Sequence, residues 1–112
     1  MASYNQVTLV GVLHDNPEEK TIGKKKRTTF ILAVERYLGK EKKPAVDYFN
    51  IVVWGKLAEV CSTYLQKGKK VLVDGKIQIR TMSQDGERKW ITEIIGENIK
   101  FLSTNTPDTN LK

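Results

Sequence analysis

In 112 residues the sequence has one cysteine, one histidine and three prolines, and each scarcity closes off a class of protein. A lone Cys61 rules out an intrachain disulfide and suits a reducing compartment. With His14 as the only histidine, and no Cys-x-x-Cys or His-Glu-x-x-His spacing, a zinc site lacks its ligands. No apolar run approaches the ~20 residues of a membrane helix. The opening Met-Ala-Ser-Tyr-Asn has no basic segment leading into an apolar one, so no signal peptide is expected. These absences point to a soluble, cytoplasmic protein with no membrane, metal or cofactor. Catalysis is not expected either. Asp15, Glu18 and Glu19 share one segment, the other acids are scattered among lysines, and no histidine base or nucleophile stands near them.

Acids are scarcest in one place. From Lys20 to Lys43 the chain carries nine cations against two acids, Glu35 and Glu41, for a net charge of +7. The other 88 residues carry ten against eleven, so this stretch holds all of the overall +6. A charge run is often only a solvated surface, but a small domain with a basic region suits a polyanion such as nucleic acid.

The length allows one domain, here residues 1–102 followed by a polar tail, 103–112. Apolar residues alternate with period two through most of the domain, the mark of half-buried strands. Val7, Leu9, Gly11 and Leu13 share one parity in a first strand, and His14 to Lys20 reads as a loop. Thr28 to Arg36 is a second strand with Phe30, Leu32 and Val34 on one face, and Leu38 to Val46 is a long exposed loop. In the third strand, Asp47 to Trp54, Phe49, Ile51 and Val53 form an aliphatic side. Tyr48, Asn50, Val52 and Trp54 form the other. The period then changes: Leu57, Val60, Cys61, Tyr64 and Leu65 make the stripe of a short amphipathic helix, closed by Gly68. A fourth strand through Val71 to Ile79 is expected to bend at Gly75. Asp85-Gly86 signals a hairpin, and Trp90 to Leu102 is a fifth strand, its end closing the sheet with Phe101 and Leu102. Three strands, a helix and two strands fit an all-β, five-stranded Greek-key OB-fold barrel with its helix between strands three and four.

The residues also resemble the bacterial single-stranded DNA-binding proteins. The likeness runs from Asn5 to Leu102. It is carried by Asn5-Gln6-Val7-Thr8-Leu9-Val10-Gly11, Phe30-Ile31-Leu32-Ala33-Val34 and Asp47-Tyr48-Phe49-Asn50-Ile51-Val52-Val53-Trp54-Gly55-Lys56-Leu57-Ala58-Glu59. Tyr64-Leu65-Gln66-Lys67-Gly68 and Val73-Asp74-Gly75-Lys76-Ile77 continue it. The resemblance implies sequence-tolerant binding of single-stranded DNA in replication, repair and recombination, by a homotetramer associated with the nucleoid. An accessory protein of replication restart or recombination on the same barrel, acting through protein contacts, is the alternative, and a preference for RNA is a third reading. Many members end in an acidic tip closing on Pro-Phe. This chain ends in Asn110-Leu111-Lys112 with one acid, Asp108, in its last ten residues, which puts recruitment of repair proteins in doubt.

An unpaired strand offers phosphates and flat base faces, so cations and aromatic rings are the groups to seek. Strand parity nominates Tyr48 and Trp54 as stacking rings. The resemblance adds Tyr37, because the family places an aromatic near it, and Met82, which stands where many members carry tryptophan and for which Trp90 could substitute across the hairpin. The cations nominated for phosphates are Lys24, Lys25, Arg27, Arg36, Lys40, Lys42 and Lys43, with Lys56, Arg80 and Arg88 beside ring positions or at the hairpin.

Overall fold

A computed structural model describes residues 2–40 and 42–102, so the proposed tail at 103–112 lies outside the described residues. The order is β1 (Val7–Leu13), β2 (Glu18–Ile22), β3 (Lys25–Arg36), β4 (Ala45–Trp54), α1 (Gly55–Tyr64), β5 (Lys70–Gln84) and β6 (Glu87–Phe101). Hydrogen bonding runs β1–β5–β6–β4–β3, and β1 pairs again with β3 through Val12–Ala33 and Leu13–Leu32. The five expected strands therefore form a ring, as in an OB-fold, with the helix between β4 and β5.

β2 corrects the sequence reading, which placed a loop at His14 to Lys20. All five of its residues are exposed, so it has no apolar alternation to detect. It forms by backbone pairing with the start of β3, Ile22 opposite Lys25 and Glu18 opposite Thr29, across the two-residue turn Gly23-Lys24. For the same reason β3 begins three residues earlier than expected.

The strand faces follow the alternation. Leu13, Phe30, Leu32, Ile51, Val53, Val71, Val73 and Ile94 form the core with Ala58, Cys61 and Leu65. Each large aliphatic removed from water contributes on the order of 1.5–3 kcal/mol. Thr28, the one buried polar residue among those described, donates its hydroxyl to the Ala58 carbonyl at 2.7 Å and so fastens α1 to β3. At Gly75 the strand register shifts. A Cβ there would lie 1.9 Å from the Ile95 carbonyl oxygen, so the bend of β5 against β6 tolerates no side chain. The β5–β6 hairpin turns through Asp85 and Gly86, both with positive φ (53° and 79°), as a type I′ turn requires.

One expected burial fails. Tyr64 is exposed rather than part of the helical stripe. It ends α1, and Leu65 reaches the core from an extended backbone (φ −93°, ψ 148°). Ala58, outside the expected stripe, is buried in the core. Phe101 and Leu102 are also exposed. Phe101 pairs with Val71 at the end of the sheet, and its ring leans on Tyr64 at 6.4 Å.

Candidate nucleic-acid interface

β4 divides as its alternation required. Ile51 and Val53 are 0% exposed, whereas Tyr48 is 59% and Trp54 39% exposed. Cross-strand pairs share a face, so register fixes what surrounds the rings. Opposite Tyr48, Asn50, Val52 and Trp54 on β3 stand Ala33, Ile31, Thr29 and Arg27. The parallel pairing of Val52 with Ile95 brings β6 alongside, adding Ile91 and Glu93 to the same face. Val52 shares the outward parity but is 4% exposed, because β3 and β6 crowd it from both sides.

Between these strands lies an open groove of about 520 Å³, lined among others by Arg27, Thr29, Asn50, Arg80, Glu93 and Asp15. The loop after β1 forms one wall and is tied down. The Asp15 carboxylate accepts from the Ile31 amide at 3.1 Å, the His14 amide donates to the Ile31 carbonyl at 2.8 Å, and Asn16 accepts from the Lys67 amide at 2.8 Å. The His14 ring meets Tyr48 edge-on, centroids 4.9 Å apart. The Arg27 guanidinium lies 5.9 Å from the Trp54 ring centroid, and its Nε is buried without a hydrogen-bond partner among the described residues.

The nominated cations fall into two groups. Lys24 and Lys25 at the β2–β3 turn, Lys40, Lys42 and Lys43 between β3 and β4, and Lys56 at the start of α1 are exposed, and none of them is in an ion pair among the described residues. Of the arginines, Arg27, Arg36 and Arg80 are engaged, whereas Arg88 is exposed and in no ion pair among the described residues. Arg36 forks onto Asp47, Nε at 3.0 Å and Nη2 at 3.2 Å, and the hydrogen bonds, then the charge, of Asp47 raise its pKa above the usual arginine value. Arg80 holds Glu93 at 3.2 Å.

The hairpin separates residues that the sequence reading grouped. Arg80 stands opposite Ile91 and Met82 opposite Lys89, on the groove's side. Trp90 stands opposite Thr81, and Arg88 opposite Ser83, on the other side. Trp90, 72% exposed, therefore lies on the opposite face of the hairpin from Met82, since neighbouring strand positions point to opposite faces. Tyr37 is exposed just past the end of β3. Sequence reasoning missed Asn50, Glu93 and Asp15 as groove lining and His14 as a neighbour of Tyr48. The shared parity of Asn50 with Tyr48 and Trp54 was the one available signal, since the others depend on pairing between distant segments.

The match to known proteins extends over this whole architecture. Residues 4–102 match the profile described as the single-strand binding protein family. The chain belongs to that family. It is 43% identical over 101 residues to a single-stranded DNA-binding protein of Clostridium tetani, covering 88% of this chain and 70% of the relative. Single-stranded DNA-binding protein 2 of Clostridium acetobutylicum is 40% identical over 111 residues, covering 96% and 83%. Among solved structures, a Plasmodium falciparum SSB in complex with ssDNA superposes with a TM-score of 0.85 at 31% identity, covering 92% of this chain and 98% of that one. No helix among the described residues is long and apolar enough to cross a membrane.

Proposed function

We infer that this chain binds single-stranded DNA without reading its sequence, on the outward face of β3, β4 and β6, and so covers exposed strands during replication, repair and recombination. The observation that carries this is the two-sidedness of β4 in a member of the single-strand binding family: aliphatics inward, Tyr48 and Trp54 outward beside an open groove, with lysines on the adjoining turns in no ion pair among the described residues.

The two kinds of group have separable tasks. Lysines at Lys24, Lys25, Lys40, Lys42, Lys43 and Lys56 meet phosphates and release counterions. Five such contacts on a single strand would cost roughly 100-fold in affinity between 50 and 200 mM salt. Rings at Tyr48, Trp54 and Tyr37 stack on bases, each contributing about 1–3 kcal/mol with little dependence on salt or base identity. Arg80 and Met82 extend the same face along the hairpin. The role is one of binding rather than catalysis, in the cytoplasm at the nucleoid, by a homotetramer as the family resemblance implies.

Tryptophan fluorescence titrated with a thymidine homopolymer, with light scattering on the same samples, tests the reading. Strong quenching by a tetramer supports it. Unquenched fluorescence with no change in scattering on adding the polymer would refute it.

A further inference from the structure

We propose that each outward ring of β4 is held by a dedicated side chain from a neighbouring segment, Arg27 for Trp54 and His14 for Tyr48, and that both act on the strand through the ring rather than through phosphate. The proposal rests on the reading that bases stack on these rings.

Arg27 closes the run Lys24 to Arg27 but differs from its lysines. They are exposed, whereas Arg27 is half-buried. It sits directly opposite Trp54 with its guanidinium 5.9 Å from the ring centroid, within the ~6 Å reach of a cation–π contact. Its Nε is shut away from solvent, which removes one of the donors a bidentate phosphate grip uses. Asp15, Glu18 and Glu93 line the same groove, so a phosphate entering there would meet carboxylates. Arg27 is thus placed badly for the backbone and well for the indole.

Tyr48 has a matching neighbour. His14 approaches its ring edge-on at 4.9 Å and 63°, and the histidine backbone is anchored on β3 by its bond to the Ile31 carbonyl. A ring free to change rotamer must be ordered when a base stacks on it, and ordering it beforehand removes that cost from binding. Both neighbours leave their ring open to solvent, with Tyr48 and Trp54 still exposed.

The decisive variant is Arg27→Lys, which keeps the charge and the alkyl stem but loses the planar group that lies on the indole. In a Trp90→Phe background Trp54 is the sole tryptophan, and binding to a thymidine oligomer is measured at 50 and 200 mM salt, with melting curves for every variant. Arg27→Lys is expected to weaken binding by roughly 3- to 10-fold at both salt concentrations and to shift the Trp54 emission of the free protein. Combined with Trp54→Ala it should add nothing to the loss from Trp54→Ala alone. His14→Phe should bind as the parent does, and His14→Ala should lose roughly 2- to 5-fold. The proposal is overturned if Arg27→Lys binds like the parent while Arg27→Ala lowers the salt slope by about 0.7, the signature of one phosphate contact. Full additivity of the double variant would overturn it equally. If Trp54→Ala itself binds like the parent, the stacking reading fails first, and that result is distinct from either of the others.

Discussion

The strands and the turns that join them carry positive charge in opposite ways. At the two ends of β3, Lys24, Lys25, Lys40, Lys42 and Lys43 are exposed and in no ion pair among the described residues. Within the sheet, Arg27 lies against Trp54 and Arg80 against Glu93 on the groove's face, and Arg36 against Asp47 on the other face of β3 and β4. An ammonium on a flexible stem is a mobile point charge, whereas guanidinium has a fixed planar fork that locks onto carboxylates and rings. On the proposed reading the difference separates two tasks: the lysines gather a polyanion, and the arginines keep side chains in place.

Substitutions in each region should therefore read out differently. Trp54→Ala is expected to have the largest effect, weakening binding to a thymidine oligomer by roughly 5- to 150-fold. Plots of log affinity against log salt should stay parallel to the parent; a flattened slope would move Trp54 into the electrostatic group. Replacing Lys40, Lys42 and Lys43 together by alanine should lower the magnitude of that slope by about 2, a difference of roughly 20-fold in affinity loss between 50 and 200 mM. An unchanged slope would leave these lysines as mere solvated surface.

Along the hairpin, Met82→Trp should tighten binding severalfold by adding a ring on the groove's side. Trp90→Ala, on the far side, should change it by less than about twofold; the reverse ranking, measured by the same titration, would mean that the strand follows the other face. Arg36→Ala belongs with the smallest effects. Asp47 already neutralises that charge, so its removal should leave the salt slope within about 0.3 of the parent.

Much of this was legible in the sequence wherever one face of a strand is buried. Ile51 and Val53 had to be inward once the period was seen, and Tyr48 and Trp54 then had to be outward. The bend at Gly75 was legible because a glycine inside a strand marks a close backbone approach. β2 was not, because Glu18 to Ile22 has no buried face and owes its form to pairing with β3. Nor were Val52's burial, the pairings of Arg27, Arg36 and Arg80, or the separation of Trp90 from Met82. Each of these depends on which distant residue stands opposite, and local alternation does not carry register between strands.

Cys61 shows the same limit from the other side: its place on the helical stripe announced burial, and burial pushes its thiol up to about 11. The folded protein holds that proton more tightly than the unfolded chain. The stabilisation is therefore full below the ordinary thiol value and should fade as pH rises from there toward 11. Melting temperatures taken across that window should fall as it is crossed, and should fall less in Cys61→Ala.

The chain's two tryptophans allow the most direct measurement. Trp90→Phe leaves Trp54 as the sole reporter and Trp54→Phe leaves Trp90, and each is titrated with a thymidine oligomer at 200 mM salt. The expected result is strong quenching of Trp54 and little change in Trp90. Quenching confined to Trp90 would place the strand on the far side of the hairpin and contradict the assignment of the β4 face.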